Sequence, residues 1–235
     1  MRSLPAVRRA AAVPLMLLML IAATAAGCSS GAGASPTQVA ASAAASGGAA
    51  ASGGSACPTA QPAALPAGET RTVTIATDLG SIVIRVQADL SPIATGNFVA
   101  LAACGFYDGV VFHRVVPGFV IQGGDGKYGR VPNIDAAHIG QGDAGYSIKD
   151  EPVTATYRRG VVAMARSSQP DSQGSQFFIV LDDSAVSSLA ATNNYAIVGT
   201  VTTGMDVADK IAAATGGVQI PPNPVAMTHV TVTKP

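Results

Sequence analysis

A chain of 235 residues with 14 Lys and Arg against 14 Asp and Glu carries no net formal charge, which argues against a nucleic-acid surface built from clustered cations. The segment before residue 65 is dominated by Ala, Gly, Ser and Pro, a composition from which no core can be built. Residues 65–235 suffice for one well-buried core, so composition predicts a single folded domain.

At the N-terminus, Arg2, Arg8 and Arg9 precede an apolar run from Ala10 to Ala26 that is strongest over Leu15 to Ile21. A basic stretch, an apolar stretch and small residues in that order form a secretory signal. The run carries Pro14 and is short for the ~20 residues that cross a bilayer. Ala25-Ala26-Gly27-Cys28-Ser29 resembles a bacterial lipobox, which implies cleavage after residue 27 and acylation of Cys28. Residues 1–27 are therefore expected to be a signal peptide, with ordinary secretion as the alternative to a lipid-anchored, extracytoplasmic protein. Losing three Arg leaves 11 basic against 14 acidic residues, a net charge of −3. Ser29 to Ala56 is low-complexity Ala/Ser/Gly and Pro58 to Gly68 is Pro-rich, so 28–64 reads as a flexible tether. Export leaves Cys57 and Cys104 as an even pair in an oxidising compartment. A disulfide from the lead-in to the end of the first helix is expected, two free thiols being the alternative.

Arg71 to Thr77 and Ile82 to Val86 alternate apolar and polar residues around the turn residues Asp78 to Ser81, which predicts a hairpin. Ser91-Pro92 reads as an N-cap followed by Pro at the first helical position. Ala94, Phe98 and Leu101 then fall at helical spacing, and Gly105 sits where a helix would stop. Next comes the densest stretch of the chain, Phe112-His113-Arg114-Val115-Val116-Pro117-Gly118-Phe119-Val120-Ile121-Gln122-Gly123-Gly124-Asp125. Period two would put Arg114 on a face with Phe112 and Val116, and Phe119 with Ile121 opposite Val120 and Gln122, with a break at Pro117-Gly118. An Arg among apolar neighbours is normally paired or functional. Gly123 to Lys149 holds seven Gly and reads as loop. Short strands are expected at Val161 to Ala165, Gln176 to Leu181, Ala196 to Val201 and His229 to Lys234, with a helix over Met205 to Ala214.

Several motifs carry little. Gly124 to Gly129 and Gly140 to Gly145 both fit G-x-G-x-x-G, but neither opens a helix in a βαβ unit, as a dinucleotide site requires. His113, His138 and His229 have no metal-ligand spacing, so no metal or cofactor is expected. Ser175 lacks a nucleophile elbow. Asp150-Glu151 reads as a solvated turn or as structural hydrogen bonding rather than an acid pair.

The stretch from Phe112 to Asp125, together with Gly160 to Ala165 and Gln173 to Ile179, resembles the signature of the cyclophilins, a family of peptidyl-prolyl cis-trans isomerases. The resemblance covers Thr72 to Lys234. It implies a mainly β fold, a closed eight-stranded antiparallel barrel capped by two α-helices, within an isomerase domain at 65–235. It implies catalysis by Arg114, assisted by Gln122 and Phe119. Substrate contacts are implied for Phe112, Val120, Met164, Ala165, Arg166, Gln176, Phe178, Leu189 and Tyr195. Arg166 stands where the family commonly has Asn, which is expected to add a charge to the subsite. The implied partners are proline-containing polypeptides bound by a monomer; a catalytically weak binding module of the same fold is the alternative.

Overall fold

The computed structural model describes residues 56–215 and 219–235. The expected signal peptide, Cys28 and most of the expected tether lie outside these residues. The described residues lie within one compact unit.

The first two strands, β1 (Thr70–Thr77) and β2 (Gly80–Gln87), pair antiparallel in register from Thr70↔Gln87 to Thr77↔Gly80. Gly80 closes this turn at φ +126, a region that L side chains avoid. Then come α1 (Pro92–Ala103), β3 (Arg114–Val116), β4 (Val120–Gly123), β5 (Val161–Met164) and β6 (Phe177–Val180). The chain ends with α2 (Val186–Thr192), β7 (Ile197–Thr203), α3 (Met205–Ala214) and β8 (His229–Thr233). The strands form one eight-stranded sheet in the order β3-β4-β6-β5-β7-β2-β1-β8.

This sheet is an open half-barrel, not the closed barrel expected, because β3 and β8 are both edges. The chain just before β8 takes the place of a ladder there. Val225 O accepts from Phe112 N at 2.9 Å, Met227 O accepts from Gly109 N at 2.7 Å, and Met227 N donates to Val110 O at 2.9 Å, with an isolated bridge at Val111↔Ala226. There are three α-helices among the described residues rather than two. The extra one, α2, runs through Val-Ser-Ser-Leu-Ala-Ala-Thr and buries only Leu189, too little for an apolar stripe to show in sequence.

Alternation along β5 and β6 divides the core in two. Val162, Met164, Phe177 and Ile179 face the main core, which also takes Phe98 and Leu101 from α1 and Val207 and Ile211 from α3. Val161, Ala163, Phe178 and Val180 face a second cluster with Val120, Tyr157, Leu189 and Ile197. Strands buried on both faces read as unbroken apolar runs, as Val161 to Met164 and Phe177 to Val180 do. The groove described below opens beside the second cluster.

The start of α1 corrects another expectation. Ser91 does occupy the N-cap position and Pro92 the first turn, but the Ser91 hydroxyl donates to Leu90 O and caps no helical N–H. The orphan N–H groups of Ile93 and Ala94 donate instead to the two carboxylate oxygens of Glu151, both at 2.8 Å, where the helix dipole also favours an anion. At its other end, Cys104 terminates α1 and is bonded to Cys57, with a Cα–Cα distance of 5.2 Å across 47 residues. Closing a loop of that length stabilises the fold by about 4 kcal/mol on a chain-entropy model.

Candidate active site

Arg114 opens β3 and pairs across the ladder with Gln122 of β4. Pro117 and Gly118 make the intervening turn, with Gly118 at φ +70 and Phe119 N bonded to Val116 O at 2.9 Å. The pairing places the Arg114 and Gln122 side chains together, Arg114 Nη1 lying 3.4 Å from Gln122 Oε1. Gln122 Nε2 donates to Gln176 Oε1 at 2.9 Å, and Gln176 Nε2 donates to the carbonyls of Gly140 and Gly142 at 2.9 and 2.7 Å. That loop is fastened in turn by Asp125, a fully buried carboxylate. It accepts from the backbone N–H of Lys127, Tyr128, Gly140 and Gly142. A relay thus runs from the buried Asp125 to the guanidinium.

Arg114 forms one wall of a cavity of about 370 Å³ of mixed character, with Phe119, Val120, Ala165, Phe178, Leu189 and Tyr195 on its apolar side and Gln122 and Arg166 on its polar side. The Phe178 and Tyr195 rings meet edge to face, centroids 5.4 Å apart. Tyr157 holds Tyr195 by its backbone: the Tyr157 hydroxyl donates to Tyr195 O at 3.0 Å and accepts from Tyr195 N at 3.1 Å. Beyond Gln122, Ala165 and Arg166 lies a polar cavity of about 380 Å³, which Gln176, Asp143, Ser167 and Ser172 help to line. A chamber with an aromatic and aliphatic side and a more polar chamber, sharing a wall, suit a polypeptide that inserts a ring into the first and runs along the second.

Two residues expected to touch substrate do not line either cavity. Phe112 and Met164 are fully buried in the main core. Met164 falls on the inner face of β5 because Ala163 and Ala165 take the outer one. Phe112 precedes β3 on irregular chain, so period two does not hold; Phe112 and Val115, three apart, both face the core. Phe119 likewise departs from its expected pairing with Ile121. It sits in the turn, beside Val120, while Ile121 enters the main core.

His113 is the residue that sequence reasoning passed over, having weighed it only as a metal ligand. It is 4% exposed, and neither ring nitrogen has a partner among the described residues. Burial lowers its pKa below the ordinary value; the nearby Asp125 carboxylate opposes this, and Arg114 adds to it. The ring is therefore held neutral beside the relay. A lone His next to the central Arg was the available signal, but nothing in the sequence reported its burial.

Comparison with known proteins adds to this geometry. The family model described as Cyclophilin type peptidyl-prolyl cis-trans isomerase/CLD matches residues 72–232. The chain belongs to this family. A probable peptidyl-prolyl cis-trans isomerase of Brucella abortus is 40% identical over 134 residues, covering 56% of this chain and 66% of that relative. A peptidyl-prolyl cis-trans isomerase of Acinetobacter baylyi is 37% identical over 166 residues, covering 68% of this chain and 84% of the relative. The chain thus spans just under two thirds of the Brucella relative's length. Among solved structures, a cyclophilin type peptidyl-prolyl cis-trans isomerase of Cryptosporidium parvum is similar, with a TM-score of 0.59 and 26% identity, covering 71% of this chain and 99% of that one.

Proposed function

We propose that this chain accelerates cis–trans isomerisation of X-Pro bonds in exported polypeptides, with Arg114 as the catalytic group. The observation that carries this reading is a nearly unengaged guanidinium on the wall of a cavity whose other side is aromatic and aliphatic. Arg114 makes the one long bond to Gln122 and no ion pair among the described residues.

The X-Pro bond turns over a barrier of about 20 kcal/mol because twisting destroys amide resonance. In the twisted state the proline nitrogen is pyramidal and offers a lone pair, which both planar states withhold. A donor aimed at that nitrogen binds the transition state better than either ground state, and that difference is the catalysis. A guanidinium is charged at every working pH and presents several donors in a fixed plane. The proline ring would occupy the cavity formed by Phe119, Val120, Phe178, Leu189 and Tyr195. Gln122 would orient Arg114, and the backbone of Ala165 and Arg166 would hold the residue before proline while the other half rotates. No nucleophile or cofactor enters the reaction.

The test is a proline-peptide isomerisation assay on the wild type and Arg114→Ala. Removing one preorganised donor is expected to cost about 100-fold in kcat/KM. No acceleration by the wild type would leave a binding module; acceleration indifferent to Arg114→Ala would refute the mechanism.

The protein is further read as anchored outside the cytoplasm by lipid on Cys28, with 28–64 as spacer and a monomeric isomerase domain. The basic and apolar N-terminus and the Ala25-to-Ser29 motif support this. Metabolic labelling with a radioactive fatty acid should mark the wild type and not Cys28→Ser; equal labelling would remove the anchor.

A further inference from the structure

Arg166 stands on the wall shared by the two cavities, and the sequence suggests that it adds a positive charge there. The structure shows that charge already answered. Its side chain is 7% exposed and pairs with Asp150 at 2.9 Å. Its remaining donors reach the carbonyls of Ser167, Gln169 and Asn194 at 3.2, 2.7 and 3.4 Å. Asp150 is fixed in its turn. It accepts from Asp171 N–H and from Gln173 Nε2, both at 2.9 Å. Burial alone would raise the pKa of Asp150, but these bonds and Arg166 outweigh it and hold the carboxyl below its usual range. The carboxylate is thus charged wherever the enzyme would work.

The consequence concerns selectivity. In the proposed binding mode the residue before proline lies against the Ala165–Arg166 backbone. An acidic side chain at that position approaches a guanidinium with four of its five donors engaged, one of them by an internal carboxylate. A neutral or basic side chain approaches a pair with no net charge.

We propose that Asp150 is a specificity-determining residue: by masking Arg166 it keeps the site indifferent to the charge of the residue preceding proline, and without it the site selects acidic ones. This inference rests on the isomerase reading and adds a constraint on substrate class. A folding catalyst that acts on many exported chains has use for such indifference, and the ion pair supplies it while keeping Arg166 as a brace.

The experiment compares kcat/KM for three peptides that differ only in Glu, Ala or Lys before proline. The proteins are the wild type, Asp150→Asn, Arg166→Gln and the double variant. Ratios between peptides within one variant cancel any loss of folded protein. The wild-type Glu/Ala and Lys/Ala ratios are expected near one. In Asp150→Asn the Glu/Ala ratio should rise about two- to fivefold, the scale of a partly exposed ion pair, and the Lys/Ala ratio should fall. High salt should erase both changes, and the double variant should return both ratios to wild-type values. Unchanged ratios in Asp150→Asn, or a wild type that already favours Glu as strongly, would overturn the proposal. If the wild type accelerates no peptide, the isomerase reading is what has failed. Binding of the same three peptides, followed by NMR line shifts in the four proteins, then reads the charge preference directly and supports or overturns it on its own.

Discussion

Two arginines line the same cavity, and they are held in opposite ways. Arg114 has a single bond at 3.4 Å to a neutral amide. Arg166 has an aspartate and three carbonyls. A guanidinium brings five donors, and what those donors already touch decides what is left for a substrate. Arg114 keeps nearly all of its capacity and sits at the end of a relay that fixes its direction. Arg166 has spent most of its capacity on joining Asp150, the 167–169 loop and the rim at Asn194. The difference shows how one residue type serves as reagent on one wall and as brace on the other, and why counting arginines in a cleft says little about its chemistry.

The contrast can be broken in three ways. The largest effect belongs to Arg114→Ala, which should lose about 100-fold in kcat/KM, chiefly in kcat, while its melting temperature stays close to that of the wild type. Equal losses of activity and stability would mean that Arg114 is a brace too. Next, Arg166→Ala should behave in the reverse sense. It strands Asp150 and frees the rim, so denaturant unfolding should show a loss of about 2–3 kcal/mol, and KM should rise more than kcat falls. An unchanged unfolding midpoint would dismiss the brace. The smallest effect concerns pH. His113 titrates below its ordinary value near 6.5 in the folded protein, so the unfolded chain takes up the proton first. Stability due to this group is therefore complete above that ordinary value. It declines as pH falls toward the folded pKa and levels off below it. Activity should follow with an acid limb of a fewfold once a buried cation appears beside Arg114. His113→Gln should flatten both curves; an identical acid limb in the variant would assign it to another group.

How much of this was legible depended on whether a feature is local. The β1–β2 hairpin, α1 and α3 follow from spacing and turn residues within a dozen positions, and they fall close to where the pattern puts them. The sheet edge was not legible, because whether β3 meets β8 depends on how residues 225–227 lie against 109–112. Nor was the cap of α1: Ser91-Pro92 is a reasonable local signal, yet Glu151, distant in sequence, supplies both acceptors. In the groove, the family resemblance associated Gln122 with Arg114, and the expected break at Pro117-Gly118 fell where the β3–β4 turn lies. Strand alternation misplaced Phe112 and Phe119 because each lies just outside a strand, where period two has no force. The Arg166–Asp150 pair was invisible for the same reason as the Glu151 cap. Two loops meet there, and neither announces the other.

The Cys57–Cys104 bond, described above as an entropic constraint, also sets a load path. Tension entering the domain from its N-terminal side arrives first at Cys57. It passes through a covalent bond into the end of α1, bypassing the lead-in, the β1–β2 hairpin and the helix itself. The strands next to edge strand β8 would then carry no peeling force. A pull on the domain from that end would leave the shape of its groove unchanged.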